Sequence, residues 1–173
     1  MLRSLPERIR RRVLNAWRDA LGHATIAPGR FQVAIAILVS DEVHNRMRQL
    51  QLEILDRYGV NSGLRASPHI SLKQGVRVSG IERLERYFER LVTDIEPFEI
   101  AVKGVKSFEE EILFLDVEPN PRLETLRRRI LRDLSEEFGV EPGRFEGEQF
   151  HFHATLEYGL PKAVLVSAQE AFA

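Results

Sequence analysis

A four-residue pattern occurs twice in this chain, each time inside an apolar run typical of a β-strand. The pattern reads His-x-Ser/Thr-Leu, and its two copies, 69–72 and 153–156, begin 84 positions apart. Successive side chains of a strand point to opposite faces, so each copy directs its histidine and hydroxyl to one face and its two apolar residues to the other. The pattern therefore predicts two half-buried strands that each carry one imidazole and one hydroxyl.

The polar residues of the two copies form a candidate catalytic set: His69, Ser71, His153 and Thr155. Histidine titrates near neutral pH, so two facing imidazoles can act as general base and general acid in one reaction. The hydroxyls are suited to hydrogen bonding with oxyanions, above all phosphate. A single histidine on a strand is more often structural, and it is the pairing that predicts catalysis.

Length and composition predict one globular domain in which a sizeable core is buried. The chain has 173 residues and a formal net charge of −1, which does not indicate a nucleic-acid binder. It contains no cysteine, which excludes disulfides, thiolate nucleophiles and zinc–thiolate sites. No apolar stretch is long enough to span a bilayer, and arginines at 8–12 interrupt any signal-peptide core, so we expect a soluble cytoplasmic protein.

Apolar periodicity and capping residues predict alternating strands and helices. Strands are predicted at 31–39, 68–73, 98–105, 112–117 and 150–158, and helices at 4–21, 41–58, 81–94, 121–138 and from 161 onward. A polar segment at 107–111 is expected to close a hairpin. The body thus reads as two α+β halves, each with one histidine strand.

These residues resemble the two-histidine (2H) phosphoesterases, and among them the bacterial RNA 2′,3′-cyclic phosphodiesterases, also called 2′-5′ RNA ligase-like proteins. The likeness covers about 31–171, and Pro68-His69-Ile70-Ser71-Leu72-Lys73 is similar to the first catalytic strand of that family. The segment between the two copies carries further family features: Pro97-Phe98 through Gly104, Phe108, Leu113 to Val117, Glu118-Pro119, and a helix with Leu123 and Leu126.

The resemblance implies an α+β, bilobal fold in which two antiparallel sheets face a central cleft, with helices outside. It implies that His69 and His153 flank a scissile phosphate, that Ser71 and Thr155 bind its oxygens, and that no metal or cofactor is needed. One histidine would deprotonate water and the other would protonate the departing ribose oxygen, which opens a 2′,3′-cyclic phosphate on an RNA end or a nucleotide to a 2′-phosphomonoester. Either histidine could take either role, and 2′-5′ RNA ligase activity is the related alternative.

Three further residues are candidates for substrate binding. Lys73 is expected on the strand face of His69 and Ser71, and His151 on that of His153. Many relatives carry a basic residue just after the second copy, where this chain has Glu157-Tyr158. The extra phosphate contact therefore either comes from Lys73 or is missing, and Tyr158 joins the candidate binding set.

Two other functions compete with this interpretation. His151, His153 and Glu157 have the two-step spacing of a metal-binding strand and resemble the first motif of cupins, although cupins are all-β and this chain has periodic helices. Alternatively, the same 2H cleft binds RNA or a nucleotide without catalysis. Metal analysis tests the first alternative, and a turnover assay tests the second.

The chain divides into an N-terminal segment, 1–30, and the 2H-like domain, 31–173. Residues 1–24 carry six arginines against two acidic residues, with an apolar stripe of the helical period, and we expect this helix to dock on the body of the same chain or of a second copy. The alternative is that these arginines bind an RNA backbone. Relatives usually have a further strand after the last helix, so either that stretch is trimmed here or the sheet has an exposed edge that needs a cover. A homodimer through that edge or through the N-terminal helix is one way to cover it, and the sequence leaves the oligomeric state open.

Overall fold

The computed structural model of the protein describes residues 31–108, 111–143, 146–147 and 150–172. The predicted N-terminal helix and its linker lie outside the described residues. The strands are β1 (Phe31–Leu38), β2 (His69–Val78), β3 (Val102–Phe108), β4 (Ile112–Val117) and β5 (His153–Tyr158). The helices are α1 (Asp41–Tyr58), α2 (Ile81–Thr93), α3 (Pro121–Phe138) and α4 (Lys162–Phe172), with a short 3₁₀ turn at Ser62–Arg65.

Local capping explains why the predicted bounds of α1 and α3 are confirmed. The Ser40 and Asn120 side chains accept hydrogen bonds from backbone N–H groups in the first turns of α1 and α3. Gly59 and Gly139 end the two helices with φ of 70° and 64°, a left-handed conformation that favours glycine.

The five described strands form one antiparallel sheet in the order β1-β2-β5-β4-β3. The α+β class is confirmed, whereas the expected pair of sheets facing a cleft is not. The reason is a single residue pair, Ile70 with Ala154, which joins the β1-β2 half to the β5-β4-β3 half. The two halves are therefore continuous at the histidine motifs, where a two-sheet arrangement would separate them.

Strand bounds were predicted less well than helix bounds. β2 extends to Val78, beyond the predicted end at 73, because β1 pairs along its length as far as Phe31 with Val78. β3 begins at Val102 and β5 at His153, later than predicted. Pairing with a distant strand decides these bounds, and apolar composition alone does not reveal it.

Each half contributes a helix that packs on the histidine strand of the other half. α1, from the first half, packs on β5, and α3, from the second half, packs on β2. The four apolar residues of the motifs join helix residues such as Met47 and Ile130 in one core. None of the helices in the described parts of the chain is long and apolar enough to cross a membrane. The opposite face of the sheet carries the polar motif residues.

Candidate active site

The register of the sheet brings the two motifs side by side. Ile70 and Ala154 are the second residues of the two motifs, and they are paired in an antiparallel ladder. Antiparallel pairing places the residue before one next to the residue after the other. His69 therefore lies across from Thr155, and His153 lies across from Ser71.

Each imidazole makes the same kind of contact, to the backbone carbonyl oxygen two residues earlier in the chain. Nδ1 of His69 lies 2.7 Å from the carbonyl oxygen of Ser67, and Nδ1 of His153 lies 2.8 Å from the carbonyl oxygen of His151. A carbonyl can only accept a hydrogen bond, so the proton of each neutral ring is on Nδ1. Neither Nε2 has a hydrogen bond to the residues that the structure describes, so each can take part in proton transfer.

The surroundings of His153 lower its pKa and so favour the neutral ring. Burial lowers the pKa of its imidazole, and electrostatic repulsion from His151 and His69 acts in the same direction. The hydrogen bond to the His151 carbonyl and the carboxylate of Asp116 act in the opposite direction, without outweighing burial. The effect of His69 on His153 is direct electrostatic coupling between the two motifs.

Two phenylalanines form an aromatic wall beside the second motif. The rings of Phe108 and Phe114 stack with centroids 4.2 Å apart. The Phe108 ring meets the His153 ring edge to face at 4.9 Å and 84°, and Phe114 lies 5.2 Å from His153. Packing of this kind limits the orientations that the imidazole can adopt.

An ionic cluster borders the same face. Asp116 is paired with His153 in the ladder, and its carboxylate binds Nε2 of His151 at 2.6 Å and the ammonium of Lys106. Burial opposes ionisation of Asp116, but the hydrogen bonds from Lys106 and His151 outweigh it and lower its pKa. His151 thus lies on the face of His153, as predicted.

Four residues of this face were not predicted to belong to the site, although Phe108 and 113–117 were noted as family features: Lys106, Phe108, Phe114 and Asp116. Strand alternation places Phe114 and Asp116 on one face of β4, and this much can be read from the sequence. That this face is the one that carries His153 follows from the pairing register with β5, which the sequence of β4 alone does not contain.

A β-bulge follows the hydroxyl residue in each motif. On β2, Ser71 pairs with Ala36 and Lys73 with Ile35, so Leu72 is an extra residue without a partner on β1. On β5, Thr155 pairs with Phe114 and Glu157 with Leu113, so Leu156 is extra in the same way. A bulge reverses the alternation of faces for the residues that follow it.

The bulge at Leu72 corrects the expected position of Lys73. This residue does not share the face of His69 and Ser71, because the extra residue turns it toward the helical side. Its side chain is 3% exposed, and its ammonium lies 2.6 Å from the carboxylate of Glu146. Glu146 also accepts from the backbone N–H of Gln74.

The bulge at Leu156 likewise removes Glu157 from the face of His153. Its carboxylate is fully buried and accepts hydrogen bonds from the backbone N–H groups of Gly63 and Tyr158. Burial raises the pKa of this carboxyl against the effect of those donors. His151, His153 and Glu157 thus do not converge, and no cluster of three His, Cys, Asp or Glu suited to a metal exists in the described part of the chain. The cupin-like interpretation is therefore wrong in its geometry.

The remaining predicted residues lie at the edge of the motif face. Tyr158 follows Glu157 beyond the bulge and returns, by alternation, to the side of Thr155, where it pairs with Ile112. Ser71 is buried, and its Oγ lies 3.5 Å from the side-chain amide of Gln74. Gln74 lies two positions after the bulged Leu72, as Tyr158 lies two positions after the bulged Leu156. The backbone arrangement of the two motifs is therefore alike beyond their four residues.

The family model of the 2′-5′ RNA ligase superfamily matches residues 39–173. This match spans most of the chain, and the protein belongs to that superfamily, which is the superfamily of the 2H phosphoesterases. A search of curated proteins gives no match to this chain. Membership supports a phosphoesterase or ligase activity of the 2H type.

Proposed function

We propose that this protein is a metal-independent phosphodiesterase that opens a 2′,3′-cyclic phosphate, on an RNA end or a nucleotide, to a 2′-phosphomonoester. The main support is the matched state of the two histidines. Each donates from Nδ1 to the carbonyl two residues earlier, and the two motifs are adjacent in the sheet. Superfamily membership supports the same class of chemistry.

The two histidines take different roles in this proposal. Burial lowers the pKa of His153, so its ring is neutral near pH 7 and its Nε2 accepts a proton from water. The oxygen of that water forms a bond to phosphorus as the bond from phosphorus to the ribose 3′ oxygen breaks. His69, protonated on Nε2, donates its proton to that departing oxygen. The product is the 2′-monoester, and the proton taken by His153 later returns to His69 through solvent.

The two hydroxyls would bind the phosphoryl oxygens. Ser71 and Thr155 each lie across the sheet from the histidine of the other motif, so both can reach a phosphate held between the rings. A neutral hydrogen bond contributes less than a proton-transfer partner, and loss of one hydroxyl is expected to slow turnover less than loss of a histidine. Lys73 is not included, because its ammonium is paired with Glu146.

A substrate panel tests the proposal. We would incubate the protein with 2′,3′-cyclic nucleotides, 3′,5′-cyclic nucleotides and oligonucleotides that end in a cyclic phosphate, with EDTA present, and identify which ester oxygen retains the phosphate. Formation of 2′-monoesters in EDTA is expected. Binding without turnover would instead favour a non-catalytic nucleotide-binding cleft, and activity restored only by added zinc or manganese would contradict the metal-independent mechanism. Formation of 2′-5′ joined products would assign the ligase direction.

A further inference from the structure

Two buried side chains bind equivalent atoms beneath the two motifs. Nε2 of Gln51, on α1, donates to the backbone carbonyl of Leu156 at 3.3 Å. Nε of Arg127, on α3, donates to the backbone carbonyl of Leu72 at 3.2 Å. Each acceptor is the fourth residue of a motif and the extra residue of its bulge. Each donor comes from the half of the chain that does not contain the motif.

The same two side chains each make a second matching bond. Gln51 Nε2 donates to the carbonyl of Gly63 at 2.9 Å, and the N–H of Gly63 binds the carboxylate of Glu157. Arg127 Nη2 donates to the carbonyl of Glu146 at 2.6 Å, and the carboxylate of Glu146 binds Lys73.

Lys73 and Glu157 are the residues that follow the two bulges. Gln51 therefore links Leu156 to Gly63, which binds Glu157, and Arg127 links Leu72 to Glu146, which binds Lys73. The pattern of hydrogen bonds is the same in both halves. The carboxylate is on strand β5 in one case, at Glu157, and in the loop before β5 in the other, at Glu146.

A bulge in a buried strand requires such donors. The extra residue has no partner on the neighbouring strand, and a buried carbonyl without a hydrogen bond is costly. Leu72 and Leu156 are both buried, so water does not readily replace the helix side chains. The bulge in turn determines where the chain changes faces, immediately after Ser71 and Thr155.

We propose that Gln51 and Arg127 are positioning residues that act through the hydroxyl beside each bulge, Gln51 through Thr155 and Arg127 through Ser71. The inference rests on the proposed function, since it concerns the geometry that this function requires. Each half thereby sets the phosphate-binding hydroxyl of the other half. A small displacement of a catalytic group lowers the rate strongly, so these buried contacts matter to turnover as well as to folding.

Double-mutant cycles test this assignment. We would combine Gln51→Met and Arg127→Met, each in turn, with Thr155→Val and with Ser71→Ala, and measure kcat and KM for 2′,3′-cyclic nucleotide hydrolysis. In parallel, calorimetry would measure the affinity of every variant for the nucleoside 2′-monophosphate product.

The expected coupling is crossed. Gln51→Met should lower kcat about tenfold in the native background and in Ser71→Ala. In Thr155→Val it should lower kcat less than about twofold, since the group through which it acts is already absent. Arg127→Met should lower kcat about tenfold in the native background and in Thr155→Val, and less than about twofold in Ser71→Ala. A purely structural role predicts the same loss in all backgrounds, and that result would overturn the inference.

Controls separate the possible failures. Tyr87→Phe removes another side-chain hydrogen bond, to Asp133 between α2 and α3, and should show no coupling to either hydroxyl. If a methionine variant does not fold, Gln51→Asn and Arg127→Lys replace it in the same cycles. If the native protein binds the product but hydrolyses no substrate, the proposed function fails while the affinity cycles still decide the inference. If it neither binds nor hydrolyses, both are overturned.

Discussion

Ile70 and Ala154 form the residue pair that joins β2 to β5, and both are buried residues of the two motifs. Their pairing places the histidine of each motif across from the hydroxyl of the other. In the described part of the chain, this is the one residue pair that joins β2 to β5 in the ladder. The relative positions of the two histidines and the two hydroxyls therefore depend on how the two halves of the sheet are joined.

Removal of either imidazole should abolish most turnover. We expect His69→Ala and His153→Ala each to lower kcat by about 10² to 10⁴, the usual effect of losing a general acid or base. Circular dichroism and thermal melting should show an intact fold, since both rings lie on the face of the sheet opposite the apolar core that contains Ile70 and Ala154. His44→Ala, on α1, is the matched control and should leave kcat unchanged. Near-native turnover in either motif variant would contradict the paired mechanism.

The rate should depend on pH through two groups. Burial holds the pKa of His153 below its ordinary value of 6.5, so kcat/KM should rise with pH as this ring loses its proton. Loss of the proton from the general acid of the pair should give the opposite limb at higher pH. Asp116 acts to raise the pKa of His153. Asp116→Asn should therefore move the acidic limb of the profile to lower pH, whereas Asp133→Asn, in the helical layer, should not. A profile that is flat from about pH 5 to 8 would argue against imidazole catalysis.

The pair of Lys73 and Glu146 should support the fold and not the affinity for substrate. Lys73→Met leaves a buried carboxylate without its ammonium partner, which typically costs about 3 to 5 kcal/mol of unfolding free energy. The double variant Lys73→Met/Glu146→Gln should recover much of that loss in urea unfolding. Product affinity, measured by calorimetry on the folded fraction, should stay near the native value. A selective loss of phosphate affinity in the double variant would restore Lys73 to the binding set.

Gly63 should tolerate no side chain. A Cβ built there would lie 1.7 Å from the carbonyl oxygen of Leu156, which is the bulged residue of the second motif. Gly63→Ala should therefore destabilise the protein by about 1 to 3 kcal/mol, the usual range for overpacking, and should also lower kcat. Gly147→Ala is the control, since a Cβ at that position meets no atom within 4 Å. Chemical denaturation of both variants measures the difference.

The sequence by itself determined the features that depend on neighbouring residues. Asn120 and Gly139 cap α3 through bonds within a few positions, so its bounds could be predicted correctly. The faces of His69 and Ser71 follow from strand alternation over three residues. The paired motifs were sufficient to identify the superfamily, since that identification depends on residue types and spacing.

Only the tertiary structure decided the features that depend on distant partners. Lys73 alternates correctly with His69 in the sequence, yet the bulge at Leu72 turns it to a carboxylate 73 positions away. The bond from Gln51 to Leu156 spans 105 positions. A bulge forms where pairing with another strand and a buried donor from a helix together make it stable, and neither is encoded in the local pattern of the strand. Local pattern thus identified the candidate reacting groups, and long-range packing set which of their neighbours share their face of the sheet.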